Sequence, residues 1–154
     1  MNTIKSGSHV ASRGRVVVSV ESAESGVAAL RRGAAEARRR KADLVAVATW
    51  TPYGGELAEL QMPCPEMCAA LERKARDLLD TACRGAELED VTVERRVVRG
   101  TPGKVLPSLA FGPDDVLVLV DRLGSAFWPA PRSLVRKCLH RSPVPVIVAT
   151  KGRS

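Results

Sequence analysis

The chain has 154 residues, 45% of them hydrophobic, enough for one domain with a genuine core. No apolar run approaches the roughly 18–20 residues of a membrane span, and the first residues lack a signal peptide's apolar block and cleavage site, so a cytoplasmic protein without a membrane partner is expected. The formal charge of +7 suggests a polyanionic partner, but an aromatic content of 3% argues against stacking on single-stranded bases and hence against nucleic acid.

Residues 1–14 are small and polar and read as a tail. Val16, Val17, Val18 and Val20 form a continuous β-branched run, the pattern of a strand covered on both faces and therefore central in its sheet. Glu21 to Ser25 reads as a loop. Gly26 to Lys41 reads as a helix with Val27, Leu30, Ala34 and Ala37 on its apolar face. The cluster Arg38-Arg39-Arg40-Lys41 closes that helix, where its partial negative charge favours cations by about 0.3–1 kcal/mol each. That placement accounts for much of the excess charge without nucleic acid.

Asp43 to Thr49 is a second buried strand, ended by Pro52, Gly54 and Gly55 and followed by a long connection. From about Pro65, the spacing of Met67, Ala70, Leu71, Ala75, Leu78, Leu79 and Ala82 predicts a helix packed on the sheet. Val91 to Arg99 carries three arginines and a glutamate among β-branched residues, as a protected edge strand does. Gly100-Thr101-Pro102 starts a helix through a tight turn, a capping hydroxyl and a proline in the first turn, and Pro107 should kink or shorten it.

Asp114 and Asp115 lead into VLVLV (116–120), another buried strand. An irregular loop follows, then a helix over Ser133 to Arg141 with Ser133 as its cap, and a last strand over Val144 to Thr150. Pro145 implies that one edge of that strand lacks a full ladder. Alternating strands and helices predict an α/β fold: a single-domain, three-layer sandwich of a five-stranded parallel sheet with helices on both faces. In such a sheet the loop after residue 121 opens at a strand's C-terminal end, where ligands bind.

Around this loop the chain resembles the universal stress proteins. Ser133-Leu134-Val135 and His140-Arg141-Ser142-Pro143-Val144-Pro145-Val146-Ile147-Val148 are similar to the family's closing G-S-V and H-x-x-P-x-P-V-x-V, and Gly100-Thr101-Pro102 to its G-x-P. The resemblance covers about residues 15–150 and leaves 151–154 as a C-terminal tail. It implies the strand order 3-2-1-4-5 and a homodimer formed through the last strand.

Nucleotide-binding members carry G-x-x-G-x(9)-G-[ST] in this loop. Here the glycine positions fall on Asp121, Gly124 and Arg132 in a loop two residues shorter, and only Gly124 and Ser133 keep the pattern. Glu21 stands where such relatives usually have an aspartate that holds the nucleoside. The candidate nucleotide or anion site is therefore Glu21, Asp121, Arg122, Gly124, Arg132 and Ser133.

Asp121 puts a carboxylate where phosphates would sit. Two like charges about 4 Å apart at an effective dielectric near 20 repel by about 4 kcal/mol, nearly three orders of magnitude in affinity unless compensated. Arg122, Arg132 and Arg136 can offset this; alternatively Arg132 pairs with Asp121 and closes the site, with Pro129 and Pro131 stiffening the loop. Phe127 and Trp128 read as its hydrophobic plug, or, if exposed, as a surface for a protein partner.

The leading expectation is thus a non-catalytic, regulatory stress-response homodimer with a degenerate nucleotide site and no cofactor. The alternative is an ATP-binding sensor with weak or no hydrolysis. His140 has no Cys or Ser arranged beside it as a nucleophile and reads as structural. The turn after the first strand lacks the Ser/Thr-rich phosphate loop of a flavin carrier and the Ser-Gly-Gly of a nucleotide-activating enzyme. Cysteines 64, 68, 83 and 138 contain no C-x-x-C pair and read as ordinary thiols. Cys64 and Cys68, four apart, can share a helix face, but zinc would need two more ligands and the only histidines are His9 and His140.

Overall fold

The structure is a computed structural model that describes residues 13–121 and 132–150; for Asp121, Arg132, Ser133 and Thr150 only the backbone is described. Its strands are β1 (Arg15–Ser19), β2 (Asp43–Trp50), β3 (Val93–Arg99), β4 (Val116–Asp121) and β5 (Val146–Thr150). The helices are α1 (Ala23–Arg40), α2 (Glu56–Gln61), α3 (Pro65–Ala86), α4 (Pro102–Leu109) and α5 (Arg132–Arg141). All strand pairs are parallel and the order is β3-β2-β1-β4-β5, as expected, with β1 in the middle.

Alternation along the inner strands builds two cores. Val16, Val18, Leu44, Ala46, Val116 and Val118 face α1 and α3 on one side. Val17, Val45, Val47, Leu117 and Leu119 face α4 and α5 on the other. Because both faces are covered, β1, β2 and β4 read as continuous apolar runs. β3 is the edge strand that its charges announced: Arg95 pairs with Asp80 at 3.0 Å, and Arg99 with Glu56 at 2.7 Å. At the opposite end of the sheet, a second edge belongs to β5.

Several boundaries differ from expectation. Helix α1 starts at Ala23, not Gly26, because Ser22 is extended and its Oγ accepts the Ser25 N–H at 3.1 Å, capping a first turn that includes Glu24. The connection after β2 contains α2, whose Glu56 and Glu59 favour its N-terminal end.

Only the C-terminal part of α3 is buried, through Ala75, Leu79, Ala82, Cys83 and Ala86. Met67 and Ala70, expected on its packed face, are exposed because that end projects past the sheet. β3 begins at Val93 rather than Val91.

Pro107 lies inside α4, which runs only eight residues, and Thr101 makes no side-chain capping bond. Helix α5 begins at Arg132, so Ser133 is inside its first turn rather than at the cap. β5 begins at Val146: Pro145 lies just ahead of it and offers its carbonyl to the Leu117 N–H at 3.0 Å, while Val144 is buried without belonging to the strand.

Candidate functional site

β1 pairs with β2 on one side and β4 on the other, so the strand order reverses at β1, and sheets of this kind bind ligands at the C-terminal end of such a point. The turn that follows β1 is short. Val20 extends the ladder by one bond, its N–H donating to the Val47 carbonyl at 2.8 Å, and Ser22 already caps α1. Ser22 and Ser25 also share a hydroxyl–hydroxyl bond of 2.7 Å, so part of the capping capacity at this helix start is used internally.

Glu21 is half-buried between that last ladder bond and the cap. Its carboxylate lies close enough to α5 to act on Cys138. Burial, and secondarily the charge of Glu21, push the Cys138 thiol up to about 11. Cys138 is fully buried in the core on the α4–α5 side of the sheet and is inert as a nucleophile.

On the neighbouring strand, β4 ends at Asp121, whose backbone is still paired with β5 at Thr150. The β1–β4 pairing runs from Val16–Val116 to Val18–Val118, and Glu21 and Asp121 each follow three residues beyond it on their own segments. Of the other expected site residues, Arg122 and Gly124 lie outside the described residues, as do Phe127 and Trp128. Arg132 and Ser133 are placed by backbone only, in the first turn of α5. Arg136 is on the exposed side of that helix.

The family model of the Universal stress protein family matches residues 12–150. This chain belongs to that family. Among solved structures, a universal stress protein in complex with cAMP is 25% identical over 91% of this chain and 98% of its own, with a TM-score of 0.58. The universal stress protein from Archaeoglobus fulgidus in complex with dAMP is 21% identical, covering 90% and 98%, at a TM-score of 0.61. UspA from Lactobacillus plantarum, at 20% identity, 90% and 99% coverage and a TM-score of 0.68, shares the fold. No curated protein matches the chain.

In this universal stress protein, the arginines of α1 are held by carboxylates. Glu36, largely buried, accepts bonds from Arg39 at 2.6 Å and Arg40 at 3.0 Å and pairs with Arg32 at 3.8 Å. Arg38 forms two bonds of 2.8 Å with Asp90. The basic cluster is thus engaged with carboxylates of its own chain. The signal for this was present in the sequence, since Glu36 stands three and four residues before Arg39 and Arg40.

Sequence reasoning missed two residues. Cys138 was read only as a thiol, and that the charge of Glu21 reaches it follows from the packing of α5. Asp115 was read only as part of the entry to β4, yet it is 6% exposed and ties the start of that strand to β1. Among the described residues, no group of three or more His, Cys, Asp or Glu side chains forms a metal centre, and no helix is long and apolar enough to cross a membrane.

Proposed function

We propose that this universal stress protein is a non-catalytic, cytoplasmic regulatory homodimer whose nucleotide site is degenerate. The observation that supports the reading is the strand order, which reverses at β1 and brings the segments carrying Glu21 and Asp121 to the same C-terminal side of the sheet. A nucleotide phosphate entering there meets the carboxylate of Asp121 where the family's phosphate loop offers a glycine. Arg132, in the first turn of α5, is the cation best placed in the sequence to close the site against Asp121. Glu21, Asp121, Arg122, Gly124, Arg132 and Ser133 then form a remnant site without a cofactor.

The solved relatives with cAMP and dAMP favour the second reading, a nucleotide-binding sensor. Isothermal titration with Mg-ATP, cAMP and dAMP separates the two. No saturable heat is expected; tight binding that disappears in Ser133→Ala or Gly124→Ala establishes the sensor instead.

The dimer is supported by β5, whose outer edge no strand among the described residues pairs and whose Val148 is 36% exposed, with Val146 and Ile147 half-buried. An apolar edge of this kind is a template for a second copy. Sedimentation should give a dimer at micromolar concentration and a monomer for Val148→Lys. A wild-type protein that sediments as a monomer removes this part of the reading. Free thiols at Cys64, Cys68, Cys83 and Cys138 suit a reducing compartment, and the carboxylate-bound arginines of α1 leave nucleic acid without support as a partner.

A further inference from the structure

Sulfur is unevenly distributed in this chain. It has four cysteines and three methionines, and apart from the initiating residue both methionines and two of the cysteines fall within 62–68 (MPCPEMC). In the fold this segment joins α2 to the first turn of α3. The adjoining α2 is tied to the edge strand β3 through the Glu56–Arg99 pair.

None of these side chains contributes to either core. Met62 is 80% exposed, Met67 45%, Cys64 is exposed and Cys68 half-buried. Methionine exposed to this extent gains little from packing. Met62, Cys64 and Met67 line one cavity of about 280 Å³, with Glu59 also in its wall. Cys68 adjoins them: its N–H donates to the Cys64 carbonyl at 3.1 Å, closing the first helical turn. The Glu59 carboxylate accepts the Cys64 N–H at 2.9 Å.

We propose that Met62, Cys64, Met67 and Cys68 form a binding site for a soft monovalent cation, Cu(I). Residues four apart on a helix have Cβ atoms roughly 5–6 Å apart, beyond the about 3.5–4.5 Å of a disulfide. The same separation accommodates one ion between two sulfurs, at metal–thiolate lengths of about 2.3 Å. Thiolate and thioether ligands together select Cu(I) over harder ions. Zinc, which takes four ligands of thiolate, imidazole or carboxylate type, finds a poorer set here.

Binding needs no oxidant or reductant: one Cu(I) forms two Cu–S bonds as two thiol S–H bonds lose their protons, leaving a complex of charge −1.

Anaerobic titration of the reduced full-length chain with Cu(I) against a chromogenic Cu(I) chelator tests this site. The protein should withdraw one equivalent and gain an ultraviolet thiolate-to-copper band. Cys64→Ser with Cys68→Ser should lose both signals. Met62→Leu with Met67→Leu, which leaves both cysteines in place, should weaken binding by about tenfold. Failure to withdraw copper overturns the proposal. So does full retention by the double serine variant, which would place the ion on Cys83 or Cys138, or binding of Zn(II) as tight as that of Cu(I).

Discussion

Replacing Asp115 by alanine removes a buried carboxylate that joins three backbone donors from two parts of the chain. Its Oδ1 accepts the Arg15 N–H at 2.9 Å, and its Oδ2 accepts those of Gly112 at 2.9 Å and Phe111 at 3.3 Å. Arg15 adds a 3.7 Å ion pair, but its guanidinium keeps the Leu109 carbonyl at 2.6 Å and loses less. The two short bonds dominate. A buried donor left without a partner costs about 1–3 kcal/mol, so two give about 2–6 kcal/mol.

Water entering the space vacated by the carboxylate should bring the loss toward the lower part of that range, about 3 kcal/mol. With a urea m-value of about 2 kcal/mol/M, the unfolding midpoint should fall by about 1.5 M. Asp115→Asn keeps one oxygen acceptor and turns an NH₂ toward the other donors, so an intermediate midpoint is expected. Urea unfolding followed by circular dichroism reads both variants. An Asp115→Ala midpoint indistinguishable from wild type would refute the assignment of this residue as the tie between β1 and β4.

Two further perturbations probe packing and charge. A Cβ at position 33 would stand 2.4 Å from Val18 Cγ2 and 3.1 Å from Leu44 Cδ1, so the close approach of α1 to the sheet depends on glycine. Gly33→Ala gains about 1 kcal/mol of helix propensity but incurs about 1–3 kcal/mol of overpacking, and its thermal midpoint should drop, not rise. Bonds from Arg39 and Arg40, opposed by burial, hold the Glu36 carboxyl below its ordinary value of 4.5. A depressed folded-state value stabilises fully above the unfolded one and is lost as pH falls through the folded one. Glu36→Gln should therefore be less stable than wild type at neutral pH, with the gap closing below about pH 4, as urea midpoints across that range will show.

The legible parts of the fold were those in which one residue type has one physical use. Uninterrupted valines at 16–18 mean a strand buried on both faces, and β1 is indeed central. Arginines within 95–99 mean an edge, and β3 is one. Boundaries were less legible where a local bond competes with propensity. Ser22 starts α1 early through a hydroxyl that sequence alone could equally have left in a loop. Pro145 interrupts an apolar run that otherwise continues into β5. Met67 and Ala70 fit a helical face, but whether a face meets a core depends on where the helix ends relative to the sheet.

The candidate site divides in the same way. Family membership and the acidic replacement at Asp121 were fixed by residue identity, because a side chain in place of a phosphate-loop glycine changes both volume and charge wherever the loop runs. That the segments carrying Glu21 and Asp121 meet at one side of the sheet, and that the charge of Glu21 reaches Cys138 on α5, depended on strand order and on the packing of α5. Covalent order cannot supply such distances between segments a hundred residues apart. The sequence by itself determined which groups are available at the switch point and in the sulfur-rich turn; only tertiary structure decided which of them meet, because packing of α5 and termination of α3 beyond the core are set by the sheet as a whole.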